Sequence, residues 1–431
     1  MNTAFKSDEW SRRRFIEGTA KTFLGVGALG MTSRGYGALG PNLGLDPREN
    51  AAKHVIYLYM NGGMTHLDTF DTKPGHENQG ETKTIQTNVD GIQVSEYLPN
   101  LAKQADKLAI VRSLTSTAGA HAQGNYLMHT SYEERATIKH PGIGAWALKF
   151  KGKLNENLPG SVYVGGDSRI NGGGGFFEPQ FEPLSINDPA AGLKNSRLRG
   201  MNQEAFDERL GLANEFDAEF HQRYDVKQVR AYTQMYEDAV RLMKSEDLKA
   251  FDLKDEDEMT RARYGDNSFG QGCLLARRLV ENDVRAVEVS LGGWDMHNNV
   301  FVEAPEKCAI LDQAMGALLE DLEARGKLKD TVVVLTTEFG RTPRVNQNGG
   351  RDHYPKAFSS VLAGGGVKGG TVYGKTDEGG ESVIENAIKI PDFNATIAHA
   401  LGLPLDQILY SPSKRPFTVA HKGVPVLDLL S

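Results

Sequence analysis

Acids and imidazoles gather in a few glycine-punctuated segments of the chain. The first segment is Asn61-Gly-Gly-Met-Thr-His66-Leu-Asp68-Thr-Phe-Asp71, and the second runs from Ser113 through Thr117 to His121, with His129 further on. A third is Gly292-Gly-Trp-Asp295-Met-His297, and a fourth holds Glu338-Phe-Gly-Arg341 followed by Gly349-Gly-Arg351-Asp352-His353. Carboxylate oxygens and imidazole nitrogens suit a divalent metal, Zn²⁺ first, with Mn²⁺, Mg²⁺ or Ca²⁺ as alternatives, and imidazole favours the transition ions. Taken singly, each pair has a plainer use: Asp295 can cap a helix, His297 can satisfy a carbonyl, and Asp352-His353 can form a turn. Their recurrence beside glycines, where backbone can approach a ligand closely, points to one shared site. Arg341 and Arg351 flank it, and guanidinium forks match phosphate or sulfate oxygens.

Such a site needs elements that end together. Val55-Ile-Tyr-Leu-Tyr-Met60 is a nearly continuous apolar run that stops at Asn61-Gly62-Gly63. Similar runs cover Leu108 to Val111, Val284 to Leu291, Thr331 to Thr336 and Phe358 to Leu362. Helical periodicity over 98–107, 271–282 and 305–325 alternates with them. Buried strands alternating with helices predict an α/β fold with a mainly parallel sheet covered on both faces, in which ligand loops gather beyond the carboxyl ends of the strands. Residues 172–254 read as an insertion: Gly172 to Gly175 leads into three phenylalanines by Phe181, a lid or a loop with buried rings, and 202–248 is polar and helical.

Composition narrows the classes. Apolar residues make up 39% of 431, and no apolar run reaches the ~18 residues of a membrane span. Residues 1–38 hold six Lys/Arg and three acids, and the remainder carries 43 basic and 53 acidic residues, a balance of −10 that speaks against nucleic acid as a partner. Cys273 and Cys308 fall in helical stretches and read as small buried hydrophobes, with no Cys-x-x-Cys knot. Gly364-Gly-Gly-Val-Lys-Gly369 matches a dinucleotide fingerprint in letters only, since Thr371-Val-Tyr follows like a strand where a helix is required. P-loop, zincin and nucleophile-elbow motifs are absent from the sequence. Ser11-Arg12-Arg13-Arg14-Phe15-Ile16 before a weak apolar stretch, Thr22 to Met31, resembles a twin-arginine export signal, so 1–38 is expected to be a leader and 39–431 the working domain. The expected partners are then the twin-arginine machinery and a small-molecule or glycan ester, in the periplasm or outside a bacterial cell.

Four motifs in order, Val55 to Met64 with Asp68 to Asp71, Gly292 to His297, Thr336 to Arg341 and Gly350 to His353, resemble an exported bacterial family of unknown function grouped with the alkaline phosphatase and sulfatase superfamily. The resemblance covers nearly all of 39–431. It implies an alkaline-phosphatase-like sheet with two metal ions at its carboxyl edge, the second site eroded unless Asp68, Asp71 or His121 completes it. By position it implies Asn61, Asp295, His297, Glu338 and His353 as metal residues, with Asp68 and Asp352 as further candidates, and Thr115, Ser116 and Thr117, with His121, in the stretch that supplies catalytic groups. Phe339 stands where a second acid-His partner belongs, and the sulfatase Cys/Ser-x-Pro-x-Arg pattern is missing. The activity implied is metal-assisted hydrolysis of phosphate or sulfate esters, with Arg341 steadying the developing charge. The alternative is a catalytically degenerate member that binds an anionic glycan or envelope component.

Overall fold

Nine strands form the central sheet of this computed structural model, which describes residues 48 and 50–431 apart from 167–172, 195, 197–199, 201 and 225–226. The expected leader, 1–38, lies outside the described residues. The strands are β1 (His54–Asn61), β2 (Leu108–Thr115), β3 (Ser161–Val164), β4 (Leu184–Ile186), β5 (Ala286–Gly292), β6 (Thr331–Thr336), β7 (Phe358–Ala363), β8 (Thr371–Tyr373) and β9 (Ile388–Lys389). Their order is β8-β2-β7-β6-β1-β5-β3-β4, with β9 also on β2. All neighbours are parallel except β7, which is antiparallel to both β2 and β6.

The exception positions the site. Because β2 and β6 each oppose β7, they run the same way as each other and as β1 and β5, so all four carboxyl ends open on one rim. Strand β7 starts at that rim, which keeps the whole connection 337–357 there rather than sending it across the sheet. A right-handed crossover would have carried those residues away.

Alternation along β1 divides the core. Ile56, Leu58 and Met60 pack with the helices Ser268–Glu281 and Val300–Ala324, while Val55, Tyr57 and Tyr59 pack with His121–Thr130, Ile143–Lys151 and Ile390–Ala400. In chain order the helices of eight or more residues among the described residues are α1 (His121–Thr130), α2 (Ile143–Lys151), α3 (Gln203–Arg223), α4 (Lys227–Lys244), α5 (Ser268–Glu281), α6 (Val300–Ala324) and α7 (Ile390–Ala400). Burial on both faces explains why the strands read as continuous apolar runs. None of the helices among the described residues is long and apolar enough to cross a membrane.

Several details differ from the sequence reading. The single helix expected over 98–107 is two short turns, Pro99–Ala102 and Ala105–Lys107, because the Asp312 carboxylate of α6 takes the Asn100 and Leu101 amides at 2.9 and 2.8 Å. Within 172–254, β4 joins the sheet edge beside β3, and α3 and α4 follow. Phe177 meets Trp146 edge-on at 4.8 Å, so the rings of that loop pack on α2. Cys273 and Cys308 are buried, unpaired and helical, as read from the sequence. No helix follows Gly369, only β8.

Candidate metal centre

Gly62, at the end of β1, has φ +120°, and a Cβ there would fall 2.6 Å from the Asp295 amide nitrogen. Only glycine permits both that conformation and that approach, so the first loop is pressed directly against the loop after β5. The loop after β6 is tied to the same place. Gly340–Arg341 pairs antiparallel with His353–Tyr354, and the Arg351 amide donates to the Met296 carbonyl at 2.9 Å. Helix α1 begins at His121, immediately after the loop from β2. Four loops thus converge.

Their meeting point is Oδ1 of Asp295. The Nε2 atoms of His297, His353 and His121 lie 3.0, 3.2 and 3.3 Å from it, and Nη2 of Arg341 lies at 2.5 Å. His297 and His353 approach each other through Nε2 at 3.1 Å. The far nitrogen of each ring is held from behind: Nδ1 of His121 lies 2.7 Å from Glu338 Oε1, Nδ1 of His297 2.7 Å from Asp352 Oδ1, and Nδ1 of His353 2.9 Å from the Gly119 carbonyl. Acceptors at Nδ1 hold a proton there, which leaves lone pairs on the three Nε2 atoms facing one carboxylate oxygen. Lone pairs at such spacing repel unless a cation lies among them. Nε2 of His121 is shut from solvent and makes no aligned hydrogen bond. The donor atoms of His121, His353 and Asp295 lie within 4.8 Å of one another and fit a divalent ion of the zinc type, with His297 beside Asp295 and His353 as a further imidazole.

Charge follows geometry. Burial pushes the Asp295 carboxyl up, but the Arg341 guanidinium and the surrounding imidazoles outweigh it and hold it well below the usual carboxylate range. The hydrogen bond to Glu338 raises His121 above its ordinary value despite burial. Asp352 is lowered, chiefly by its bond to His297.

A family profile described as protein of unknown function (DUF1501) matches residues 52–430. The chain belongs to that family. No curated protein matches it. Among solved structures, the DUF1501 chain resembles the lipoteichoic acid synthase LtaP from Listeria monocytogenes, with TM-score 0.43 and 10% identity over 91% of this chain and 79% of that one. It resembles the PsFucS1 sulfatase from Pseudoalteromonas sp. with TM-score 0.39 and 12% identity, over 88% and 72% of the two chains. For the alkaline phosphatase of the Antarctic bacterium TAB5 the figures are 0.36 and 13%, over 82% and 99%. Scores of this size carry no activity from one chain to another.

The remaining residues singled out in the sequence of this DUF1501 protein take supporting places. Glu338, read as a ligand, is fully buried behind His121; its Oε1 also accepts from the Gly62 amide at 2.9 Å and its Oε2 from Tyr59 at 3.0 Å. Asp352 likewise stands behind His297 rather than beside Asp295. Asp68 is buried away from the cluster, 2.8 Å from Nε of Arg351, and accepts from Thr65 and Thr82. Asn61 is exposed at the rim, its Oδ1 3.4 Å from Asn125 Nδ2. Thr117 is exposed in the loop whose Gly119 holds His353.

Neither arginine lies open to a ligand. Arg341 is buried and donates to the carbonyls of Gly62, Gly63 and Arg351 besides Asp295; Arg351 is buried against Asp68 and the carbonyls of Thr342, Pro343 and Asn78. His129 pairs with Glu288 at 3.0 Å, inside the fold. Tyr59, Asn125 and Gly119 were not legible as site residues, although Asn125 follows His121 by four positions, one helical turn.

Proposed function

We propose that the protein is an exported, metal-dependent hydrolase of phosphate or sulfate esters, with residues 1–38 as its twin-arginine leader and the periplasm or cell exterior as its place of work. The observation that carries this reading is the convergence of three imidazole Nε2 atoms on Asp295, each with its Nδ1 restrained. His121, His297, His353 and Asp295 would hold the ion, zinc by the donor set. When bound, such an ion supplies Lewis acidity to an ester oxygen and lowers the pKa of water.

The chain's own groups do the rest. Glu338, Asp352 and the Gly119 carbonyl keep the protons on Nδ1 and the rings aimed. Arg341 acts as a positioning residue, fixing Asp295 and keeping it ionised. Thr117, exposed in the loop before α1, is the candidate nucleophile, and Phe339 supplies an apolar wall, its ring 5.1 Å from His121 and 4.8 Å from His353.

The test is to purify the chain without its leader, measure bound metal, and assay aryl phosphates, phosphodiesters and sulfates with and without His297→Ala. Stoichiometric divalent metal and turnover, both lost in His297→Ala, are the expected results. A chain that takes up no metal overturns the reading, and turnover untouched by His297→Ala overturns the site. Metal without any turnover favours a second reading, a binder of an anionic glycan or envelope component, for which the apolar Phe339 beside the imidazoles speaks.

A further inference from the structure

Resting on that metal-centre reading, we infer that the site takes a tetrahedral oxyacid ester carrying one negative charge, a phosphodiester or a sulfate monoester, and discriminates against the dianionic phosphate monoester. Charge at the cluster carries the inference. Three carboxylates touch it: Asp295 directly, Glu338 through His121, and Asp352 through His297. Among the described residues the only Lys or Arg bonded to any of these six groups is Arg341, at Asp295. One guanidinium and a divalent ion therefore balance the three carboxylates and leave no surplus. A doubly charged ligand would meet a centre with no surplus positive charge and with the exposed carboxylates of Asp295 and Asp352 at its edge, and each added negative charge is repelled by them.

The arginines that ordinarily grip a dianion by a bidentate fork are committed elsewhere. Arg341 reaches three carbonyls and Asp295, and Arg351 three carbonyls and Asp68, with both side chains fully buried. What faces the rim instead is neutral. Asn61 offers an exposed amide at the end of β1, and the fully buried Phe339 ring backs His121 and His353. One further cation lies near: Nζ of Lys307 on α6 rests within 2.6 Å of where a Cβ on Gly293 would sit, two residues before Asp295. It adds at most one positive charge at that rim, a match for one negative charge rather than two.

The experiment uses the chain without its leader, loaded with cobalt(II), whose visible absorption reports ligands at the centre. It is titrated at mildly alkaline pH with dimethyl phosphate and methyl sulfate, each singly charged, and with methyl phosphate and sulfate, each doubly charged. At least one singly charged probe should bind about 10-fold more tightly than its doubly charged counterpart, as expected for one further negative charge within a few ångströms of the cluster. Which of the two binds better tells a phosphodiester site from a sulfate-ester site. Hydrolysis should show the same order, with bis(4-nitrophenyl) phosphate or 4-nitrophenyl sulfate ahead of 4-nitrophenyl phosphate.

Equal or tighter binding of the doubly charged probes, or no response to any of the four, overturns the inference while leaving the metal site standing. Failure to take up cobalt overturns the metal-centre reading itself, so the two failures are distinguishable. Asn61→Lys adds a positive charge at the exposed rim and should shrink the gap between singly and doubly charged probes about 10-fold. A cobalt-loaded Asn61→Lys protein with an unchanged gap would overturn the charge account.

Discussion

Glu338 turns its carboxylate inward, with Oε1 2.7 Å from Nδ1 of His121, so an acid at the end of β6 orients an imidazole delivered by α1. Behind it, Tyr59 bonds Oε2 at 3.0 Å and the Gly62 amide bonds Oε1 at 2.9 Å, which ties the ring's aim to the central strand. Partners of this kind set both the tautomer and the basicity of a ligating histidine. Glu338→Gln should therefore leave the fold intact and weaken zinc binding about 10- to 100-fold, measured by competition with a chromophoric chelator. Unchanged zinc affinity in Glu338→Gln would show that His121 is aimed by something else.

Arg341 anchors the same centre from beneath. Arg341→Met leaves the carbonyls of Gly62, Gly63 and Arg351 without their donor and Asp295 without its cation. Asp295 is half exposed, so water screens part of its loss, but each buried carbonyl left unsatisfied costs about 1–3 kcal/mol, and a loss of roughly 2–4 kcal/mol is expected in urea unfolding. Stability within about 1 kcal/mol of the parent would contradict the anchoring role.

Gly62→Ala should be costly for two separate reasons, a φ of +120° and a Cβ 2.6 Å from the Asp295 nitrogen. A loss of roughly 2–4 kcal/mol is expected, with zinc uptake reduced as the loops after β1 and β5 part. Denaturant unfolding and metal analysis on the same sample check both.

Removing metal should lower thermal stability by mass action. At zinc a thousandfold above its Kd the bound ion contributes about 4 kcal/mol, so a chelator should lower Tm by several degrees. His297→Ala should unfold at one temperature with or without the chelator, since it lacks a ligand. A chelator-sensitive His297→Ala would place the ion elsewhere.

His140 makes acid sensitivity predictable away from the site. It is 1% exposed, stacked on Tyr132 at 4.3 Å and 2.7 Å from the Tyr126 hydroxyl. Burial, with His421 and Arg135 nearby, lowers its pKa to about 4. The imidazole is thus neutral when folded and takes up a proton more readily when unfolded. Its stabilising contribution is complete above about pH 6.5, falls as pH drops towards 4 and changes little below that, about 3 kcal/mol in all. Urea midpoints across that window should decline in the parent and flatten in His140→Gln.

Much of the scaffold was legible without coordinates. The continuous apolar runs correspond to β1, β2, β5, β6 and β7, because a strand buried on both faces has no polar side to interrupt it. Strands β3, β4 and β9, of four, three and two residues, were missed, since so short a run carries no period. The loops holding acids and histidines were identified for the same reason as the strands: they follow them.

What those residues do there was not legible. Asp295, Glu338 and Asp352 are all acids beside strand ends, and nothing in their spacing tells the one that meets three imidazole Nε2 atoms from the two that stand behind a ring. Asp68 and Arg351 likewise read as site residues and form a buried pair instead. By itself the sequence determined the covered parallel sheet and the donor types gathered at its rim, because burial and chain polarity leave a mark on local composition. Only the tertiary structure decided which nitrogen faces which oxygen, because a hydrogen bond depends on a few tenths of an ångström between segments up to 279 residues apart.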